Sequence, residues 1–101
     1  MTNKSLTIEE TSDLLKTISN WRVNKNKLIK TFYFKNFVEA FAFMTKIAMI
    51  AESINHHPEW SNVYSDVTIK LRTHDLGGLS NLDVDFAKSI NAISKKFSSS
   101  E

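Results

Sequence analysis

The chain has 101 residues, of which 42% are hydrophobic, and it carries a formal net charge of +2. That length predicts one domain, the hydrophobic fraction excludes a disordered chain, and the lack of cysteine excludes disulfides and thiolate metal sites. The basic residues between positions 22 and 30 alternate with asparagines and turn residues, so direct nucleic-acid binding is not expected. No signal-peptide core and no membrane-length apolar run occur, so we expect a cytoplasmic protein without membrane association.

The first third of the chain predicts a helix followed by a β-hairpin. Thr7 and Glu10 have the spacing of a capping box, and apolar residues continue at helical spacing to about Ser19. Residues 21–23 and 28–34, separated by a polar turn, predict two antiparallel strands. Both faces of the second strand carry apolar side chains, which hints at a partner on each face.

The longest predicted helix covers residues 37–55. Asn36 and Glu39 repeat the capping pattern at its start. Its apolar positions form two adjacent stripes that are wider than a surface helix needs; they are Phe37, Phe41, Met44, Ala48 and Ala51 in one, and Ala40, Phe43, Ile47, Ile50 and Ile54 in the other. A helix this apolar in a small domain is either central to the core or shared with another subunit. We expect a homo-oligomer, either a dimer or a tetramer.

The rest of the chain predicts a second hairpin and a final helix. Strands are expected at 60–64 and 67–73, with Val67, Ile69, Leu71 and Thr73 on one face. Ser80 and Asp83 give a third capping signature. The fold class is therefore α+β: a four-stranded antiparallel sheet with three helices on one face, in the order α-β-β-α-β-β-α. We expect a single domain over 1–101, with frayed termini at 1–5 and 98–101.

All three histidines, His56, His57 and His74, fall within residues 52–83. Pro58 disfavours helical geometry at the residue before it, so His57 leaves the helix and its ring can be re-aimed towards the cleft that His56 faces. His74 ends a predicted strand just before a Gly-Gly turn. Because imidazoles exchange protons near neutral pH, this arrangement predicts a site for general acid/base chemistry.

The histidines belong to a longer pattern of three segments: Glu52-x3-His56-His57-Pro58-x-Trp60-x-Asn62-x-Tyr64, Val67-x-Ile69-x-Leu71-x-Thr73-His74, and Gly78-Leu79-Ser80-x2-Asp83. With the upstream Phe32-x-Phe34-x-Asn36-Phe37 and Ala40-Phe41-x-Phe43-Met44, this pattern closely resembles the pterin-4a-carbinolamine dehydratases. The resemblance extends from about Leu6 to Ile93.

The resemblance implies dehydration of 4a-hydroxy-tetrahydropterin to quinonoid dihydropterin in tetrahydrobiopterin recycling, with no cofactor and no metal. It implies catalytic roles for His56, His57 and His74, with Asp83 and Glu52 in support. The substrate contacts that it implies are His56, His57, Pro58, Thr73, His74, Asp75, Leu76 and Trp21. Our hypothesis is that His56 and His74 form the acid/base pair and that His57 mainly positions the pterin.

Several alternatives stay open at this point. Asp83 could serve only as a helix cap, and Glu52 could orient His56 from one turn earlier or simply be solvated. The three histidines with nearby carboxylates also contain the ligand types of a zinc hydrolase. Some members of the resembled family act as dimerisation cofactors for a homeodomain transcription factor. Such a role would use the long apolar helix and would allow a nuclear location.

Overall fold

The computed structural model describes residues 4–73 and 76–97. The helices are α1 (Ile8–Leu15), α2 (Phe37–Ile54) and α3 (Asn81–Ser94), and the strands are β1 (Arg22–Asn24), β2 (Lys27–Tyr33), β3 (Glu59–Val63) and β4 (Asp66–Leu71). This order confirms the predicted α-β-β-α-β-β-α arrangement. The predicted fraying of 98–101 falls outside the described residues.

The four strands form one antiparallel sheet in the order β1-β2-β4-β3. The central pair, β2 and β4, places Phe32 opposite Val67 and Leu28 opposite Leu71. These four side chains are at most 1% exposed and pack with the helices in the hydrophobic core. The predicted inward face of β4 is confirmed, because Val67, Ile69, Leu71 and Thr73 are all buried.

The same face of β2 carries a buried lysine. Lys30 lies between Leu28 and Phe32 in the strand and is 1% exposed. Its ammonium group donates to the Ser19 carbonyl at 3.0 Å and to Asn91 Oδ1 at 2.8 Å. The cost of burying this polar group is therefore offset by hydrogen bonds to named acceptors.

Helix α2 divides its apolar residues between the core and the surface. Ala40, Phe43, Ile47 and Ala51 are buried against the sheet and α3. The stripe that begins at Phe37 was predicted to be buried or shared, and in the single chain it is largely exposed. The exposed large apolar side chains of α2 are Phe37, Val38, Phe41, Met49 and Ile54.

Local capping explains where the helices begin. Thr7 and Glu10 form a reciprocal capping box on α1, and Ser80 and Asp83 form one on α3. Asn36 accepts the Glu39 N–H at 2.9 Å and so caps α2. The first helix ends at Leu15 instead of near Ser19. The N–H groups of Thr17 and Ile18 donate to the carbonyls three residues earlier, those of Leu14 and Leu15, and not to carbonyls four residues earlier.

The beginning of the chain is tied to the start of α3. The Lys4 N–H donates to Asn81 Oδ1 at 2.6 Å, and the Asn81 N–H donates to the Lys4 carbonyl at 3.2 Å. Ser5 and Ser80 form an antiparallel bridge. The expected fraying of residues 1–5 stays a prediction, with Lys4 and Ser5 in contact with the start of α3. Over the ranges that the structure describes, no helix is long and apolar enough to cross a membrane.

Candidate active site

The end of α2 determines where the first two histidines point. Asn55 follows Ile54 in the left-handed conformation, with φ of 52°, a geometry that asparagine tolerates better than most residues. The His56 N–H then donates to the Ala51 carbonyl at 3.0 Å, which closes the helix end. The reversal leaves His56 buried at 9% exposure and His57 exposed.

His56 forms a buried pair with Asp83. Its Nε2 atom lies 2.7 Å from Asp83 Oδ1, and the two side chains are 10% and 0% exposed. The ring of His56 also lies 6.1 Å from that of Phe86, centroid to centroid. Because Asp83 is the third residue of α3, its carboxylate lies where the helix dipole stabilises negative charge.

Asp83 binds two further residues of the chain. Its Oδ2 atom accepts the Ser80 N–H at 3.0 Å and the Thr73 hydroxyl at 2.8 Å. The hydroxyls of Thr73 and Ser80 are themselves 2.6 Å apart. The end of α2, the segment after β4 and the start of α3 thus meet in one buried cluster, which we call the Asp83 cluster: His56, Thr73, Ser80 and Asp83.

His57 has a different carboxylate partner. Its Nε2 atom lies 2.6 Å from Glu52 Oε1, with side-chain exposures of 56% for His57 and 80% for Glu52. The alternative that Glu52 orients His56 is therefore wrong: the helix has ended at Ile54, and His56 has turned inward. The expectation that His56 and His57 face one cleft is also not supported, because one ring is buried and the other is exposed.

The predicted substrate contacts occupy different environments. Pro58 is partly buried next to His57, and Leu76 is 41% exposed. Every polar group of Thr73 already has a partner in the chain: its N–H donates to the Gly78 carbonyl, and its own carbonyl accepts from Leu76 and Gly78. His74 and Asp75 lie outside the described residues, so their predicted roles stay predictions.

Trp21 is not brought to the Asp83 cluster by any described contact. It is 6% exposed, lies edge-on to Phe32 with a centroid distance of 5.9 Å, and donates its indole N–H to Asn91 Oδ1 at 2.9 Å. Asn91 follows Asp83 by two turns of α3, roughly 12 Å at the rise of an α-helix. The structure thus gives Trp21 a core-packing role, and its substrate contact stays a prediction.

Two surface cavities flank this region. One, of about 430 Å³, lies between α1, the β1–β2 turn and residues 76–79, and includes the predicted contact Leu76. The other, of about 390 Å³, lies between the end of α2 and the start of α3 and is lined by Ile54, Leu82, Asp85 and Phe86 among others. The second adjoins the Asp83 cluster, because Phe86 lines it and packs near His56.

The zinc alternative finds no support in the described part of the chain. Within residues 4–73 and 76–97, no three histidine or carboxylate side chains are grouped as a metal ion would require. The third histidine that this alternative needs, His74, lies outside those ranges.

Sequence reasoning missed the side-chain roles of Thr73 and Ser80 in this cluster. Ser80 was predicted only as a cap, and Thr73 only as a substrate contact. A usable signal existed in the alternation of β4, which places Thr73 on the inward face with Val67 and Leu71. A hydroxyl on that face needs a buried partner.

Comparison with known proteins gives consistent results along most of the chain. Residues 4–93 match the family model described as pterin 4 alpha carbinolamine dehydratase. A protein of Prochlorococcus marinus (strain SARG), provisionally named pterin-4-alpha-carbinolamine dehydratase, is 54% identical over 93 residues, which are 92% of this chain and 97% of that protein. A provisionally named pterin-4-alpha-carbinolamine dehydratase of Synechococcus sp. (strain WH7803) is 54% identical over 84 residues, 83% of this chain and 90% of that protein.

Solved structures agree with the fold. A crystal structure from Brucella melitensis, described as a transcriptional coactivator/pterin dehydratase, is 36% identical, with a TM-score of 0.88 over 90% of this chain and 99% of that one. A pterin dehydratase-like protein, described as a RuBisCO assembly factor in the alpha-carboxysome, is 24% identical with a TM-score of 0.61, over 73% of this chain and 86% of that one. The second likeness concerns the fold alone.

Proposed function

Because the chain belongs to the pterin 4 alpha carbinolamine dehydratase family, we propose that it is a hydro-lyase that converts 4a-hydroxy-tetrahydropterin to quinonoid dihydropterin and water. The observation that carries the proposal is the buried pair of His56 and Asp83, 2.7 Å apart. An imidazole held by a buried carboxylate has a fixed orientation, which proton transfer to or from a substrate requires.

The reaction needs two proton transfers. One proton goes to the hydroxyl group that leaves from C4a as water, and another is removed from the neighbouring ring nitrogen. Imidazole can serve in either step near neutral pH, and each positioned proton transfer contributes about 10²- to 10⁴-fold to the rate. That gain suits a reaction that already proceeds slowly without a catalyst.

The environments of the first two histidines suggest different roles for them. His56 is buried and oriented by Asp83, which suits an acid or base, and we assign the complementary proton transfer to His74. His57 is more than half exposed and paired with Glu52, which suits a residue that positions the pterin at the surface. The physiological role that we propose is recycling of tetrahydrobiopterin.

The test follows the decay of freshly generated 4a-hydroxy-tetrahydropterin by absorbance. We expect the wild-type protein to accelerate the decay, and His56→Ala and His74→Ala to lose about 10²-fold or more of that acceleration. The matched control is Lys88→Ala, which alters an exposed residue of α3 and should keep full activity. Circular dichroism confirms that each variant is folded. A wild-type protein that leaves the spontaneous rate unchanged contradicts the proposal.

A second candidate function is partner binding through α2. The Brucella melitensis structure is described as a transcriptional coactivator as well as a pterin dehydratase. In this chain Val38, Phe41 and Met49 of α2 are 74%, 56% and 63% exposed, a surface that a partner helix could cover. Association with a transcription factor that survives loss of dehydration in His56→Ala would favour this second function.

A further inference from the structure

The hydrogen bonds in the Asp83 cluster run in one direction. The hydroxyl of Thr73 has a single hydrogen, which it donates to Asp83 Oδ2 at 2.8 Å. The 2.6 Å contact between the two hydroxyls must therefore use the hydrogen of Ser80. Ser80 Oγ in turn accepts the Leu82 N–H at 3.2 Å. The chain of donors thus leads from the first turn of α3 through Ser80 and Thr73 to the carboxylate.

The direction of this series of hydrogen bonds bears on which nitrogen of His56 carries hydrogen. Oδ2 of Asp83 already accepts from the Thr73 hydroxyl and from the Ser80 N–H, so we assign Oδ1 as the acceptor that faces His56. The 2.7 Å contact is then a bond donated by Nε2–H of the ring. A neutral imidazole carries hydrogen on one nitrogen only, so Nδ1 of His56 is left as the basic atom.

We propose that Thr73 and Ser80 are positioning residues whose hydroxyls hold Asp83 so that His56 keeps the Nε2–H tautomer and exchanges protons with substrate through Nδ1. All four side chains are at most 10% exposed, so water does not readily replace a missing hydroxyl. Hydrogen bonds also strengthen each other when each hydroxyl in a series accepts one bond and donates the next. The tautomer rests on the hydrogen-bond geometry with Asp83 Oδ1 as the acceptor, whereas the catalytic consequence rests on the proposed dehydratase function.

The first test measures the tautomer of His56 without any substrate. Nitrogen-15 NMR of the neutral ring distinguishes Nε2–H from Nδ1–H, and we expect Nε2–H in the wild-type protein. Thr73→Val keeps the shape and removes the hydroxyl, so we expect a detectable Nδ1–H population or a shift of the Nε2 resonance. Thr73→Ser, which keeps the hydroxyl, should restore the wild-type signature.

The matched control removes a hydroxyl from a similar pair elsewhere in the sheet. Thr31 and Thr68 have hydroxyls 2.9 Å apart, so Thr68→Val should leave the His56 signals unchanged. If Thr73→Val does not fold, Ser80→Ala tests the same series of hydrogen bonds, because it removes the hydrogen that Thr73 Oγ1 accepts. An Nδ1–H ring in the wild type, or unchanged His56 signals in the folded variants, overturns the proposal.

The second test measures dehydration by the same variants. We expect Thr73→Val to lower kcat by about 10-fold or more, since misplacement of a catalytic group by an ångström costs up to about 10²-fold. The KM should change by less than about twofold, because both hydroxyls are already paired within the protein, and Thr73→Ser should recover the rate. A drop in kcat with unchanged His56 signals would overturn the positioning role. The wild-type protein could also show no dehydration while the tautomer of His56 still depends on Thr73. That result would refute the dehydratase proposal and support the positioning of His56 by Thr73.

Discussion

The ammonium of Lys30 in β2 and the side-chain oxygen of Asn91 in α3 lie 2.8 Å apart inside the core. The same oxygen of Asn91 accepts the indole N–H of Trp21 at 2.9 Å, and its amide nitrogen donates to the Ser19 carbonyl. One asparagine therefore serves two buried donors that come from different parts of the chain, and it joins the sheet to the last helix.

We expect Asn91→Ala to lower the free energy of unfolding by about 1–3 kcal/mol, because the buried indole N–H of Trp21 loses its acceptor, Asn91 Oδ1. The ammonium of Lys30 keeps the Ser19 carbonyl as an acceptor. Urea denaturation followed by circular dichroism measures this change. Lys88→Ala, on the exposed side of the same helix, should stay within about 0.5 kcal/mol of the wild type. Equal stabilities for the two variants would show that the buried contacts contribute nothing.

A second prediction concerns the residue that turns His56 inward. Asn55 has a φ of 52°, which costs most residues about 1–2 kcal/mol but glycine almost nothing. Asn55→Gly should therefore keep the stability and the dehydration rate, whereas Asn55→Ala should lose about 1 kcal/mol and part of the rate. Thermal unfolding and the pterin assay are measured on both variants. If Asn55→Ala matches Asn55→Gly in stability and in dehydration rate, the left-handed backbone conformation at residue 55 does not limit either property.

A third prediction concerns pH and the outer face of the sheet. A hydrogen bond from Lys27 is the main cause that holds the pKa of Glu59 below its ordinary value of 4.5, and the charges of Lys27, Arg72 and Lys70 add to it. Lys27→Met should therefore raise the pKa of Glu59, as measured by NMR titration of its side-chain carbonyl. Lys46→Met, on α2, should leave the pKa unchanged.

The sign of the associated stability change follows from the lowered pKa. The pair of Lys27 and Glu59 contributes to stability above the pKa that Glu59 has in the unfolded chain, and the contribution is lost as the pH falls through its folded-state pKa. Because this pair is exposed to solvent, the contribution is small. A Glu59 pKa that does not respond to Lys27→Met would mean that the 2.9 Å contact is not populated in solution.

A fourth prediction concerns self-association. Val38, Phe41 and Met49 follow one another along the exposed side of α2, and we expect a second copy of the chain to cover them. Phe41→Glu should convert an oligomer to a monomer in light scattering coupled to gel filtration. Ile8→Glu, at an 86% exposed position of α1, should not change the mass. A wild-type protein that is already monomeric at high concentration would contradict the expectation.

The features that could be predicted from the sequence depend on residues close together in the chain. The caps at Thr7, Asn36 and Ser80 were predicted because a capping side chain binds a backbone group only two or three residues away. The inward face of β4 was predicted because strand side chains alternate with a period of two. Both patterns can be recognised without knowing the tertiary structure.

What the sequence did not reveal depends on contacts between distant residues. The burial of Lys30 requires Asn91, which is supplied by the last helix, and no local pattern indicates it. The partner of Glu52 depends on the left-handed Asn55, which sends His56 inward and leaves His57 at the surface. Thr73 could be placed on the inward face, but its bond to Asp83 depends on the position of the first turn of α3, which no local pattern indicates.

The strand order has a consequence for how the chain emerges during synthesis. The sheet centre pairs β2 with β4, which follows only after α2 and β3. A nascent chain that has been translated only through α2 therefore carries β2 with one edge unpaired. Unpaired strand edges of this kind favour aggregation. We expect chains truncated after α2 to need a chaperone to stay in solution. In the full-length chain, β4 from the second half pairs with the open edge of β2 in the first half.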